Sequence, residues 1–125
     1  MEIYMDEYIA LQYLFQTLGD ANRLRILRTI GEETKTVGQI AEQTEISQPL
    51  VSHHLRILRE RQLVTSSRKG PFINYSLTDS RLLDVMGMFG ELAQKAYESR
   101  SKGSQKPAFA CPPWAWNRWN KKGGK

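Results

Sequence analysis

At 125 residues, with 40% hydrophobic and 25% charged residues, the chain has room for one domain with a hydrophobic core but not for two. No apolar run reaches the roughly 20 residues of a membrane span, and the acidic start MEIYMDEYIA lacks the basic-then-apolar order of a signal peptide. A single cysteine cannot form an internal disulfide, so a reducing, cytoplasmic setting is expected.

The net charge of +5 is unevenly distributed. Residues 100–125 hold seven Lys/Arg and no acid, whereas residues 1–99 hold 11 basic and 13 acidic residues. Within that body, residues 45–75 carry Arg56, Arg59, Arg61, Arg68 and Lys69 against only Glu45 and Glu60. Acidic flanks enclose this basic middle, a pattern that suits a local polyanion-binding face, although a solvated charged surface has the same composition.

No internal repeat is present. Tyr4, Tyr8, Leu11, Phe15 and Leu18 recur at helical spacing, and Ile9 and Leu14 widen the stripe beyond what one core face requires. Asp20 is placed to cap a second helix through Leu24, Leu27 and Ile30, which Gly31 ends. The segment TVGQ is a capping box, with Thr36 as N-cap and Gln39 reaching back, and it opens a short helix to about Thr44. Ser47 is expected to cap a fourth helix running to about Arg61, with Pro49 in its first turn, where a missing N–H does no harm. Two helices joined by so short a turn outline a helix-turn-helix.

The period then changes to two. Ile73, Tyr75 and Leu77 alternate with polar residues, and RKGP supplies a turn, so a β-hairpin with a basic tip is expected. A long helix follows from about Thr78 to Ser99, with Leu82, Val85, Met86, Phe89, Leu92, Ala93 and Ala96 as its stripe. Gly87 and Gly90 weaken it by up to about 1 kcal/mol each; close approach of another backbone is the favoured account of them, and plain tolerance the other.

The only two histidines, His53 and His54, stand side by side on the fourth helix. Val51, Leu55 and Leu58 form its buried stripe, which puts His54 on the packed side as a hydrogen-bonded core residue and His53 on the surface. With no third histidine and no nearby cysteine, the pair does not make a metal site. No nucleophile–base pattern, glycine-rich phosphate loop or paired-carboxylate signature is found, so no catalytic residues and no cofactor are assigned. What the helix offers is a donor-rich face of Gln48, Pro49, Ser52, His53 and Arg56, suited to base edges and phosphates in a major groove. Its bland counterpart is the solvated side of any amphipathic helix.

The blocks LGDANRLRILRTI, ISQPLVSHHLRILRERQLV and SRKGPFINYSL resemble the ArsR/SmtB family of winged helix-turn-helix repressors, in order and spacing, over about residues 8–97. The resemblance implies a mainly α fold with a small β-hairpin wing and a homodimer joined through the first and last helices. It also implies a recognition helix in the major groove, a palindromic double-stranded operator, and a wing whose Arg68 and Lys69 lie near phosphate or minor groove. Many members sense metals, but the Cys-Val-Cys positions fall here on Thr36 and Gly38. The last-helix positions fall on Asp79, Arg81, Leu92 and Lys95, of which only Asp79 is a ligand type, equally explained as a helix N-terminal acid. No metal site is therefore expected.

Residues 100–125 form a basic tail that holds Pro107, Pro112, Pro113 and every tryptophan of the chain, Trp114, Trp116 and Trp119. Three accounts stand side by side. The tail packs on the dimer surface; Cys111 acts as a candidate thiol sensor; or the basic aromatic mixture holds nucleic acid, membrane or protein. The sequence thus points to a cytoplasmic, homodimeric winged-helix repressor with residues 1–99 as its body, released from DNA by a signal the sequence does not name. An interaction module that uses the winged helix and aromatic tail to bind protein is the alternative.

Overall fold

The computed structural model describes residues 6–101, so Tyr4 of the first stripe and the tail with Cys111 lie outside the described residues. The order is α1 (Glu7–Leu18), α2 (Ala21–Ile30), β1 (Lys35–Thr36), α3 (Val37–Thr44), α4 (Gln48–Glu60), β2 (Val64–Lys69), β3 (Phe72–Leu77) and α5 (Arg81–Ser101). The chain divides into two compact units, one ending at Met86 and the other beginning at Gly87.

Local chemistry sets most of the boundaries. The Asp20 carboxylate accepts from the N–H groups of Asn22 and Arg23 at 2.8 and 3.1 Å, which starts α2. Gly31, at φ 59°, ends it in a conformation that glycine tolerates best. Thr36 and Gln39 form the reciprocal capping box of α3, with bonds of 3.2 and 3.0 Å. Gly70, at φ 60°, opens the two-residue turn between β2 and β3, as a tight hairpin with glycine first requires.

The core is a single cluster. Ile26, Leu27 and Ile30 of α2, Ile40 of α3, and Val51, Leu55 and Leu58 of α4 are all fully excluded from solvent, joined by Val64 at the start of the wing. Burying one such side chain contributes about 1.5–3 kcal/mol, so this cluster locks the three helices to one another. At the other end of α2, Arg23 donates to the carbonyls of Thr17, at 2.6 Å, and Gln16, at 3.4 Å. Its guanidinium thereby satisfies carbonyls that the end of α1 leaves open.

Several expectations meet differences. A third strand, β1, pairs antiparallel with β3 through Lys35↔Tyr75 and Thr36↔Asn74, giving the sheet order β1-β3-β2. Two residues are too short to show a period, which is why the sequence hides it. Of the alternating trio, Tyr75 and Leu77 pack on the core, but Ile73 stays 47% exposed because it pairs with Arg68 toward the hairpin tip. Ser47 occupies the N-cap of α4 but makes no side-chain cap bond. Pro49 has removed one of the two N–H groups such a bond would use. The last helix starts at Arg81, after a turn in which Asp79 accepts from the Arg81 N–H. A Cβ built on Gly87 or Gly90 would meet nothing within 4 Å, so no close backbone approach to either is found among the described residues.

The two N-caps should therefore differ in worth. Thr36→Ala should cost about 1 kcal/mol and lower the melting temperature by about 4–8 °C, whereas Ser47→Ala should change it little. Thermal unfolding followed by circular dichroism checks this, and equal losses would contradict the cap assignment.

Candidate nucleic-acid interface

Rotating by 100° per residue along α4 from Val51, the buried positions gather on one side: Val51, His54, Leu55 and Leu58. The opposite side carries Pro49, Ser52, His53, Arg56 and Glu60, all exposed, with Gln48 exposed at the helix start. Four of the five helix residues singled out from the sequence therefore lie on the solvent side of α4, and Gln48, exposed in the first turn, lies on the flank beside Gly38 of α3. Ser47 leaves the first-turn N–H groups of Gln48 and Leu50 without a side-chain cap, so the positive end of the helix dipole also faces outward. Arg56 has no ion-pair or hydrogen-bond partner among the described residues.

The wing is a six-residue pair of strands in register from Val64↔Leu77 to Lys69↔Phe72. Arg68 and Lys69 are exposed at its tip, and Arg68 Nε donates to the Gly70 carbonyl at 3.3 Å, which steadies the guanidinium beside the turn. The strand faces are pinned by Thr65 Oγ1 and Ser76 Oγ, 3.0 Å apart. Arg59 reaches from α4 to Ser66 Oγ on β2 at 3.5 Å, tying helix to wing. Sequence reading did not single out Arg59, although its place three residues after Arg56 in a basic stretch was the available signal. Nor did it find the Arg61 guanidinium over the Tyr13 ring at 5.0 Å, which links the end of α4 to α1.

Comparison with known proteins bears on the same residues. The family model described as "Bacterial regulatory protein, arsR family" matches residues 20–66, from the Asp20 cap through α4 into β2. The transcriptional repressor SdpR of Bacillus subtilis is 41% identical over 71 residues, 57% of this chain and 79% of that protein. A transcriptional repressor SmtB homolog of Synechocystis is 34% identical over 95 residues, 76% of this chain and 70% of that protein. The chain belongs to the arsR family of bacterial regulatory proteins. It is a DNA-binding transcriptional regulator with a winged helix-turn-helix fold. The fold agrees with the solution structure of a homodimeric winged helix-turn-helix DNA-binding domain from Mycobacterium bovis, at a TM-score of 0.63, 20% identity, 76% of this chain and 92% of that one.

Two positions at which the family resemblance implied metal ligands, Thr36 and Asp79, do other work here. Thr36 is engaged in the capping box. Asp79 is held by Arg81 through contacts of 2.7–3.1 Å, and that hydrogen bonding keeps its carboxyl below the usual carboxylate range. Leu92 and Lys95 are exposed. Among the described residues no three His, Cys, Asp or Glu side chains gather as a metal site would need.

The histidines separate as expected, with one correction. His53 is exposed and His54 only 5% exposed, their rings edge-to-face at 5.6 Å and 61°. His54, however, is not hydrogen-bonded: its buried Nδ1 has no partner. Of the charged groups that act on it, Asp20 caps α2 through Oδ1 and Arg23 donates to the carbonyls of α1. Burial is the main cause that holds the His54 pKa below its ordinary 6.5, against a smaller opposing pull from Asp20.

A histidine with a lowered folded-state pKa takes up its proton in the unfolded chain first. Stability is therefore full above 6.5 and is lost as the pH falls below it. Melting temperatures from about pH 7.5 to about pH 5.5 should fall in the native protein and fall less steeply in His54→Leu. At the upper pH that variant should cost little, because an unpartnered buried polar group itself costs about 1–3 kcal/mol. Parallel pH slopes in the two proteins would contradict the assignment.

Proposed function

We propose that the protein is a homodimeric transcriptional repressor, working in the cytoplasm, that reads a palindromic operator and is released from it by a signal. In this reading Gln48, Pro49, Ser52, His53 and Arg56 of α4 meet the major groove, while Arg68 and Lys69 of the wing meet the flanking backbone. The observation that carries it is the exposed, donor-rich face of α4, held in one orientation by a fully buried stripe on its other side. Such side chains supply the bidentate and single hydrogen bonds that base edges and phosphates accept.

Dimer formation is supported by apolar surface that the single chain leaves in water. On α1, Tyr8, Ile9, Leu11, Tyr13 and Phe15 are 40–76% exposed; on α5, Val85, Met88, Phe89, Leu92 and Tyr97 are 38–69% exposed. At on the order of 100 Å² each, five such side chains on either helix supply a large part of the roughly 800 Å² per partner of a stable interface. The Mycobacterium bovis domain is homodimeric by its description. Residues 1–99 would form the DNA-binding and dimerising body, and the seven basic charges of residues 100–125 would add unspecific attraction to DNA.

Fluorescence anisotropy on duplexes from the protein's own promoter tests this. His53→Ala or Arg56→Ala should cost about 1–3 kcal/mol on operator and much less on random duplex. Arg68→Ala or Lys69→Ala should weaken both and flatten the slope of log affinity against log salt by about 0.9 for each phosphate left without its cation. Footprints should show half-sites about 10 bp apart. A monomer in sedimentation at micromolar concentration, or loss of specificity only in the wing variants, would overturn the arrangement.

A further inference from the structure

Residues of α2, the C-terminal end of α3 and the start of α5 line an open, shallow cleft of about 410 Å³, a volume within the about 300–1,000 Å³ range of small-molecule sites. Leu24 and Met86 give it an apolar wall; Arg25, Arg28, Thr29 and Gln43 give it polar groups, and no acidic side chain lines it. The hydroxyl of Thr44, which also lines it, is engaged with the Ile40 carbonyl and the Ile46 N–H. The Gln43 side-chain oxygen takes a bond from Lys35 Nζ at 2.8 Å, which leaves the Gln43 amide NH₂ to donate. Arg25 gives one N–H to Asn22 Oδ1 at 3.2 Å, and Arg28 has no hydrogen-bond or ion-pair partner among the described residues. Arg25, Arg28 and Gln43 therefore stand beside an apolar wall around a space with no acidic side chain among its lining residues. Guanidinium forks match carboxylate oxygens two at a time.

We propose that this cleft binds a small amphipathic carboxylate, its head held by Arg25 and Arg28 and its apolar body against Leu24 and Met86, and that this is the releasing signal. The regulatory half of the proposal rests on the repressor reading above. A DNA phosphate would use the two arginines but leave the Leu24 and Met86 wall idle, so the organic anion is favoured. The cleft touches both α2 and α3, which carry the packing of α4, and α5, which the dimer would use. A ligand that fits one arrangement of these helices better than another shifts DNA affinity by the difference.

Octanoate is the probe, titrated calorimetrically into the full chain, with octanol, octyl phosphate and inorganic phosphate as controls. Saturable octanoate binding is expected, weakened about tenfold or more in Arg28→Gln and lost in Arg25→Gln/Arg28→Gln, with no binding of octanol. Octanoate should lower operator affinity about 5–150-fold in the native protein and leave the double variant unaffected. Without octanoate the two proteins should bind operator equally. No saturable binding up to about 10 mM, equal binding to the double variant, or equal binding of inorganic phosphate (an adventitious ion only) would overturn the site. Tighter octyl phosphate than octanoate would overturn the choice of a carboxylate head. Weaker operator binding by the double variant without probe, with a flatter salt slope, would make the arginines DNA contacts instead. Operator binding without probe judges the repressor reading by itself. Arginine-dependent octanoate binding in a protein that binds no operator would uphold the site and overturn its regulatory role.

Discussion

The three aliphatic side chains Val51, Leu55 and Leu58 are fully excluded from solvent against Ile26, Leu27, Ile30 and Ile40, and the rest of the molecule depends on that packing. Because side chains advance 100° per residue, burying one side of α4 dictates the other. A rotation large enough to bring His54 out would put one of the aliphatic residues into water, at about 1.5–3 kcal/mol each. The outward face of α4 is thus a consequence of core burial as much as of its own polar residues. The wing inherits the same frame. The Leu63 N–H bonds the Leu58 carbonyl at 2.9 Å, and Val64, at the head of β2, is part of the core.

The outward face is not uniform along the helix. Its first three turns carry Ser52, His53 and Arg56, whereas Glu60 lies on the same side at the end. A carboxylate there opposes close approach of phosphate, so the chemistry favours entry by the N-terminal part of α4. The same end has uncapped N–H groups because Ser47 makes no cap bond. At the far end, Arg59 and Arg61 are turned to β2 and α1, where they tie the helix to its neighbours. Basic residues close in sequence are therefore divided between the solvent-facing side and bracing, a division that net charge does not reveal.

Features decided within a few residues were legible in the sequence. The Asp20 cap, the Thr36–Gln39 box, the α4 stripe and the outward placement of His53 all follow from spacing along one helix. Features decided across the fold were not. The pairing of Lys35 and Thr36 with β3, the reach of Arg23 to the end of α1, and the cleft between Arg25, Gln43 and Met86 need residues far apart in sequence. The orphaned Nδ1 of His54 is of the second kind. Its burial was readable from periodicity, but whether Nδ1 finds a partner depends on residues of other elements that the spacing along α4 does not show. The family resemblance supplied the fold, and the positions of its metal ligands were legible as replaced.

The two histidines make the central claim open to one direct measurement. They are the only imidazoles in the chain, one exposed on the outward face of α4 and one buried beneath it. Imidazole proton and nitrogen resonances of the full protein, assigned with the single His53→Ala variant, can be followed through addition of operator duplex. The His53 signals should move on binding and those of His54 should stay in place, with His54 titrating below 6.5 in both states. Movement of the His54 signals with those of His53 unmoved would mean that α4 does not present this face to DNA.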